Sequence, residues 1–189
     1  MPGFVEPSTD GRVVAGGDVR ATGLSGSGVG AGPVLRATPR IDDRWSVPLE
    51  LGAQIGTHRD ALSYATLRIG VRARLDSGLI LGGGLVGHGV RRSGAYGAGG
   101  GADFEIGVAR AWDRWALSFV ARPGFAATAA SVPTVWIPGE FAIAYRVRPA
   151  LSLYASVNAA GGVAFAGPFG MLVTGGGASL GIAGRFGRR

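Results

Sequence analysis

Alternation with a period of two recurs along this chain, whereas no amphipathic helical period is sustained. Between Ala65 and Leu75 one set of positions reads Ala65, Leu67, Ile69, Val71, Ala73, Leu75, and the other Thr66, Arg68, Gly70, Arg72, Arg74. Successive side chains of a strand point to opposite faces, so this segment reads as a strand with one apolar and one polar face. Val47, Leu49, Leu51, Ala53 and Ile55 repeat the pattern against Pro48, Glu50, Gly52, Gln54 and Gly56. It returns where Phe104, Ile106 and Val108 oppose Asp103, Glu105 and Gly107, and where Phe141, Ile143 and Tyr145 oppose Glu140, Ala142 and Arg146. Leu151, Leu153, Ala155 and Val157 set against Ser152, Tyr154, Ser156 and Asn158 give a further strand. Val34 and Arg110 break the alternation outright.

Turn-forming residues divide these runs into two alternating sets of connections. One set holds Ile41 to Trp45, Asp76-Ser77-Gly78, Trp112 to Trp115 and Arg148-Pro149-Ala150; the other holds Gly23 to Gly28, His58 to Ala61, Arg91 to Gly97, Ala126 to Thr134 and Ala166 to Pro168. The spacing predicts an all-β chain of about ten strands, joined up and down, with eight or twelve as alternatives. They fall near 11–22, 29–41, 45–57, 63–75, 78–90, 98–111, 115–127, 135–147, 151–164 and 170–186. Residues 1–10 form an N-terminal extension, 11–186 the barrel and 187–189 a tail. Strands of about 12 to 14 residues are long for a soluble sheet. At about 3.3 Å per residue and a tilt near 45° they would cross a hydrocarbon layer.

The charges decide between two solvents. Every acidic residue inside a predicted strand, namely Asp18, Glu50, Asp103, Glu105 and Glu140, lies on the polar face. A soluble barrel would turn that face outward; a membrane barrel turns it inward. The face is also rich in Gly, Ala and Ser, which suits a crowded lumen better than a solvated surface. Arg20, Arg36, Arg68, Arg72, Arg122 and Arg146 share it and outnumber the five acids. Pairing with those carboxylates is expected, since buried charges need partners. Trp45, Trp112 and Trp115 stand at one set of turns and Tyr64, Tyr96 and Trp136 near the other, which predicts two aromatic girdles at the membrane interfaces. A soluble lipocalin-like barrel enclosing an apolar ligand is the alternative.

Composition removes several classes. With 36 Gly and 10 Pro among 189 residues the chain approaches low-complexity composition, yet 47 % hydrophobic content and a mean hydropathy of +0.27 supply enough apolar surface for a fold. All 19 basic residues are Arg and they are spread along the chain, so the net charge of +7 marks no nucleic-acid footprint. Absence of Cys excludes a disulfide framework, a thiolate metal site and a Cys nucleophile. Pro149 to Gly184 is free of charge and long enough for a spanning helix, but Gly161-Gly162, Pro168 and Gly175-Gly176-Gly177 interrupt it. The opening residues Met1 to Pro7 lack the basic start and apolar run of a secretory signal.

The alternating terminal segment Leu180-x-Ile182-x-Gly184-x-Phe186 resembles the assembly signal of bacterial outer-membrane proteins, although Gly187-Arg188-Arg189 follow the aromatic. With the up-and-down strands and Trp-bearing turns, the chain resembles the small single-chain outer-membrane β-barrels of Gram-negative bacteria, of the OmpA, OmpX and OmpW kind. That resemblance implies a polar or plugged interior, a lipid bilayer as partner and an outer-membrane location.

Catalytic chemistry finds little support. His58 and His88 are the only histidines; Asp60 and Ser63 neighbour His58 across a turn without a nucleophile-elbow motif. His88 is followed by Gly89-Val90, unlike the His-x-Ser pattern of outer-membrane lipid A deacylases. Asp103 and Glu105 are the only close carboxylate pair on one face, and neutralising Arg is the expected role rather than metal binding. The Gly triplets lack the Lys-Ser/Thr of a phosphate loop. No cofactor is expected. Two functions remain: a narrow pore favouring small anionic solutes, or a barrel whose lumen is closed by Arg-carboxylate pairing and which serves as a structural membrane protein.

Overall fold

β-branched and aromatic residues at every second position draw these segments into long strands, and no helix forms among the described residues. The computed structural model describes residues 13–24, 28–57, 63–128, 131–166 and 169–187. Ten strands build the wall: β1 (Val13–Leu24), β2 (Gly28–Pro39), β3 (Trp45–Ser46 continued by Leu49–Gly56), β4 (Ser63–Arg74) and β5 (Leu79–Arg92). They continue as β6 (Ala95–Trp112), β7 (Trp115–Ala121 continued by Gly124–Thr128), β8 (Ser131–Arg148), β9 (Leu151–Ala166) and β10 (Phe169–Phe186). Each strand pairs antiparallel with the next. β10 closes the sheet on β1, from Val13 opposite Phe186 to Leu24 opposite Gly175.

β3 and β7 are each interrupted at a proline. Pro48 and Pro123 have no N–H to give to the ladder, so regular pairing lapses there. Their carbonyls still serve, accepting from Gly70 N at 3.0 Å and from Phe104 N at 2.9 Å. Pairing then resumes in the same register: Ile106 faces Ala121 and Asp103 faces Gly124 on either side of Pro123. Each interrupted pair is therefore one strand of the wall.

The turns carry specific chemistry. Asp42 accepts hydrogen bonds from the N–H groups of Trp45 at 2.7 Å and Arg44 at 2.8 Å, and these two donors hold its carboxyl below the ordinary carboxylate range. That side-chain turn launches β3 with Trp45 at its head. In the two-residue link between β5 and β6, Ser93 and Gly94 have φ of 49° and 86°, the left-handed region a tight hairpin needs.

The two faces of the wall are inverted relative to a soluble protein. Leu67 is 58 % exposed and Leu85 66 %, while Arg20 is 1 % and Glu105 0 % exposed. Most large aliphatic and aromatic side chains point outward and the charged and small ones inward; Val34, Ile80 and Val120 are buried aliphatic exceptions. In water such a surface would aggregate; in hydrocarbon it is the stable arrangement, with all interior backbone groups paired around a closed sheet. The lipocalin-like alternative fails on this point, because its apolar set would have to face inward. Both breaks in the alternation are explained. Val34 turns into the lumen and fills the space over Gly52, whereas Arg110 stays on the outer face beside the Trp112 end of β6.

Candidate functional site

Ten charged side chains on seven strands form one connected chain inside the barrel. It begins on β8, where Glu140 Oε2 accepts from Arg20 Nη2 of β1 at 3.2 Å. Arg20 Nε lies 3.8 Å from Asp18 Oδ1, and Asp18 Oδ2 binds Arg36 Nη1 of β2. Arg36 Nε lies 3.6 Å from Glu50 of β3. Glu50 in turn receives Arg122 Nη1 from β7, on the opposite wall, at 3.0 Å and 3.3 Å. Arg122 Nε donates to Glu105 Oε2 of β6 at 2.7 Å, and Arg72 of β4 grips both oxygens of the same carboxylate. Arg68 ends the chain, 3.4 Å from Glu105 and held by a two-pronged contact with Asp103 at 2.6 Å and 2.7 Å.

Planar guanidinium forks explain why Arg fills all these basic positions. An Arg offers several fixed N–H donors and can serve two carboxylates at once, as Arg122 does, where a Lys ammonium is a single point charge. Tyr154 of β9 joins the chain through its hydroxyl, which donates to Asp18 Oδ2 at 2.7 Å and accepts from Arg36 Nη1 at 2.8 Å.

Glycine makes room for this density. A Cβ on Gly70 or Gly84 would come to 3.0 Å of the Arg68 guanidinium, and one on Gly181 to 2.6 Å of both Asp18 Cβ and the Tyr154 ring. The inward glycines of β4, β5 and β10 are thus the complement of large charged neighbours, consistent with relief of crowding.

Balance is the main electrostatic property of the chain. Arg20, Arg36, Arg68, Arg72 and Arg122 face Asp18, Glu50, Asp103, Glu105 and Glu140, five charges of each sign. Arg146, expected to take part, stands apart. It follows the inward parity of β8 and pairs in register with Ser152, but near the turn end of the strand, where its backbone N–H donates to Arg114 O at 2.6 Å. With Arg146 outside, the excess of lumen Arg expected from the sequence disappears from the network.

Above the charged chain a neutral polar group fills the lumen: Thr22 donates to Gln54 Oε1, and the Tyr64 hydroxyl lies 3.5 Å from Thr22 Oγ1. Ser156 and Ser179 meet at 2.7 Å on β9 and β10. His88 is also inward, on β5 opposite Thr66. His58 and Asp60 lie outside the described residues, and no group of three metal-ligating side chains occurs among the described ones.

The aromatics divide differently from the expected girdles. Trp45, Trp112 and Trp115 are exposed at the end of the barrel where β2 meets β3 and β6 meets β7; Trp112 and Trp115 face each other across the hairpin, and Trp115 packs on Tyr145 at 4.9 Å between ring centroids. Tyr96 is exposed at the other end, with Arg91 stacked 5.6 Å from its ring. Tyr64 and Trp136 do not join it. Each shares the parity of a buried lumen charge on its own strand, Arg68 and Glu140 respectively, so both turn inward.

A cavity of about 70 Å³ occupies the mouth lined by Arg36, Arg40, Arg74, Trp45 and Tyr154, and one of about 10 Å³ lies beside Arg146 and Ser152, both at the end of the barrel that carries Trp45 and Trp115. A larger open groove, about 680 Å³, runs along Val19, Phe141, Ile143, Val157 and Leu180 on the outer face.

No family model and no curated protein sequence matches this chain. Among solved structures it is similar to Neisserial surface protein A (14 % identity, TM-score 0.48, covering 95 % of this chain and 100 % of that one). It is similar also to Ail, the attachment invasion locus protein of Yersinia pestis (11 % identity, TM-score 0.41, 94 % and 99 %). A third is the translocator domain of the autotransporter NalP from Neisseria meningitidis (12 % identity, TM-score 0.44, 95 % and 89 %). The membrane reading rests on the two faces of this wall rather than on these likenesses.

Proposed function

We propose that the chain is a bacterial outer-membrane barrel closed by its own lumen charges, serving as a structural membrane protein rather than as an open channel. The observation that carries this reading is the unbroken chain from Glu140 through Arg122 to Asp103, which ties β8, β1, β2 and β3 to β7, β6 and β4 across the interior. A conducting pore must bind its ion weakly enough to release it. Here each guanidinium of the network is already engaged by a fixed carboxylate, and the five charges of each sign leave the network itself no excess with which to draw an anion through. Short connections at both ends argue against an elaborate ligand-binding surface.

The test is ion current across a planar bilayer after the purified chain is refolded into lipid, with a heat-dependent gel shift to establish that it has folded. A folded, silent barrel is expected. Discrete current steps from the unaltered protein would overturn the closed reading and establish the narrow anion pore instead.

A further inference from the structure

The cavity at the Trp45 mouth has a chemistry that the sealed lumen does not require. Five guanidinium groups line it, those of Arg36, Arg40, Arg44, Arg72 and Arg74, against the single carboxylate of Asp43. Arg36 and Arg72 reach it from within the charged chain; Arg40, Arg44 and Arg74 come from the ends of β2 and β4 and the turn between β2 and β3. Arg36 and Arg72 are neutralised within the charged chain, so the excess comes from Arg40, Arg44 and Arg74 against Asp43, and such a preponderance of one sign around a concave space focuses a positive potential there.

A second observation points to a ligand. The Arg36 side chain is nine-tenths buried, and its Nη2 has no hydrogen-bond partner, although its Nη1 is shared by Asp18 and Tyr154. A buried N–H donor left unmade costs stability unless something enters to accept it. The cavity of about 70 Å³ is more than a single water needs and matches a small tetrahedral oxyanion. Thr38, Ser46, Tyr154, Val14, Gly16 and Ala183 complete the lining.

We infer that this mouth is a binding site for a small, multiply charged oxyanion of the phosphate class, clasped between Arg36 in the floor and Arg40 and Arg74 at the rim. Guanidinium forks match the spacing of phosphate oxygens. The anion comes from the aqueous phase and not from a lipid headgroup, because the residues that would hold it, Arg36, Arg40 and Arg74, follow the inward parity of β2 and β4, while Asp43, Arg44 and Trp45 stand at the rim. The wall separates those three Arg from the bilayer.

The experiment titrates inorganic phosphate into the full chain folded in a zwitterionic detergent and follows its heat-unfolding temperature, with sodium chloride at matched ionic strength as the reference. A saturable rise with phosphate beyond that with chloride is expected. The R40Q/R74Q variant should bind phosphate at least about tenfold more weakly, the loss of one charge-assisted hydrogen bond or more. It should keep the gel shift of a folded barrel, because neither residue belongs to the charged chain. R148Q, outside the lining, should bind as the unaltered protein does. Equal rises with phosphate and chloride, or an undiminished phosphate response in R40Q/R74Q, would overturn the site. Current measurements on the same samples keep this question separate from closure of the lumen, since a silent barrel can bind phosphate or fail to.

Discussion

Arg122 on β7 and Glu50 on β3 meet across the barrel at 3.0 Å, although the strands they belong to share no edge. That contact joins the half of the network built on β1, β2 and β3 to the half built on β4 and β6. Removing either partner cuts that link: Arg122 would keep its contact with Glu105, and Glu50 only the 3.6 Å contact with Arg36.

Glu105 is the carboxylate with the most Arg contacts, receiving Arg122, Arg72 and Arg68. Glu105→Gln keeps the shape and removes the charge, leaving three guanidinium groups around a neutral amide. The expected cost is about 3–5 kcal/mol. Urea unfolding in detergent followed by Trp fluorescence would measure it; a loss under about 1 kcal/mol would show that the network holds little of the barrel together.

Arg146→Gln should behave otherwise. Among the described residues Arg146 makes no ion pair, so its replacement is expected to change stability by no more than about 0.5 kcal/mol in the same urea assay, the range of ordinary sites outside a network. A loss comparable to that of Glu105→Gln would place Arg146 inside the network.

Glycines of β5 and β6 separate two kinds of need. A Cβ at Gly101 would collide with the Phe125 carbonyl oxygen and lie 2.8 Å from Ala126 Cα, whereas one at Gly87 meets nothing within 4 Å. Gly101→Ala is expected to cost about 1–3 kcal/mol through forced separation of β6 and β7. Gly87→Ala should be neutral or gain about 0.5 kcal/mol by restricting the unfolded chain. Refolding yield by gel shift, set beside urea midpoints, distinguishes them.

The outer face offers a test of the solvent. Leu67, exposed on β4, is expected to tolerate Ile but not Arg: Leu67→Arg should destabilise the barrel by about 2–4 kcal/mol in lipid vesicles, the cost of a charge near the bilayer midplane. In a soluble protein an exposed Leu replaced by Arg would be nearly neutral, so an unchanged urea midpoint would contradict a hydrocarbon environment.

Much of the architecture was legible because strand periodicity is local. Alternation alone places Arg68, Arg72 and Glu105 on one face, and turn residues divide the runs at the right intervals. The strand count of ten follows from those intervals, and closure of β10 on β1 satisfies edges that would otherwise lie open. What alternation does not carry is the partner of each charge. Asp18 meets Tyr154 and Arg20 meets Glu140 over sequence separations of 136 and 120 residues, contacts that exist only after the sheet curls. Nearness to turns assigns Tyr64 and Trp136 to a girdle. Their parity with Arg68 and Glu140 was the better signal, because in a barrel wall the face a residue occupies is fixed by odd or even position and its depth only by distance along the strand. Arg146 differs for the opposite reason: its parity is right and it pairs in register with Ser152, but it stands near the turn end of β8, beside Arg114 and Trp115, apart from the lumen carboxylates.

The seam between β1 and β10 also sets an order of events for assembly. Asp18 and Arg20 sit on the first strand, while Tyr154 and Glu140 arrive with the last three. In an open sheet Arg20 would lack Glu140 and Asp18 would lack Tyr154, the contacts that span the seam, and Arg122 and Glu50 would not yet meet across the interior. Hydrocarbon strongly disfavours such a half-made object. Insertion and curling must therefore advance together, and the membrane itself acts as a proofreader that admits the finished cylinder and returns the unfinished one to water.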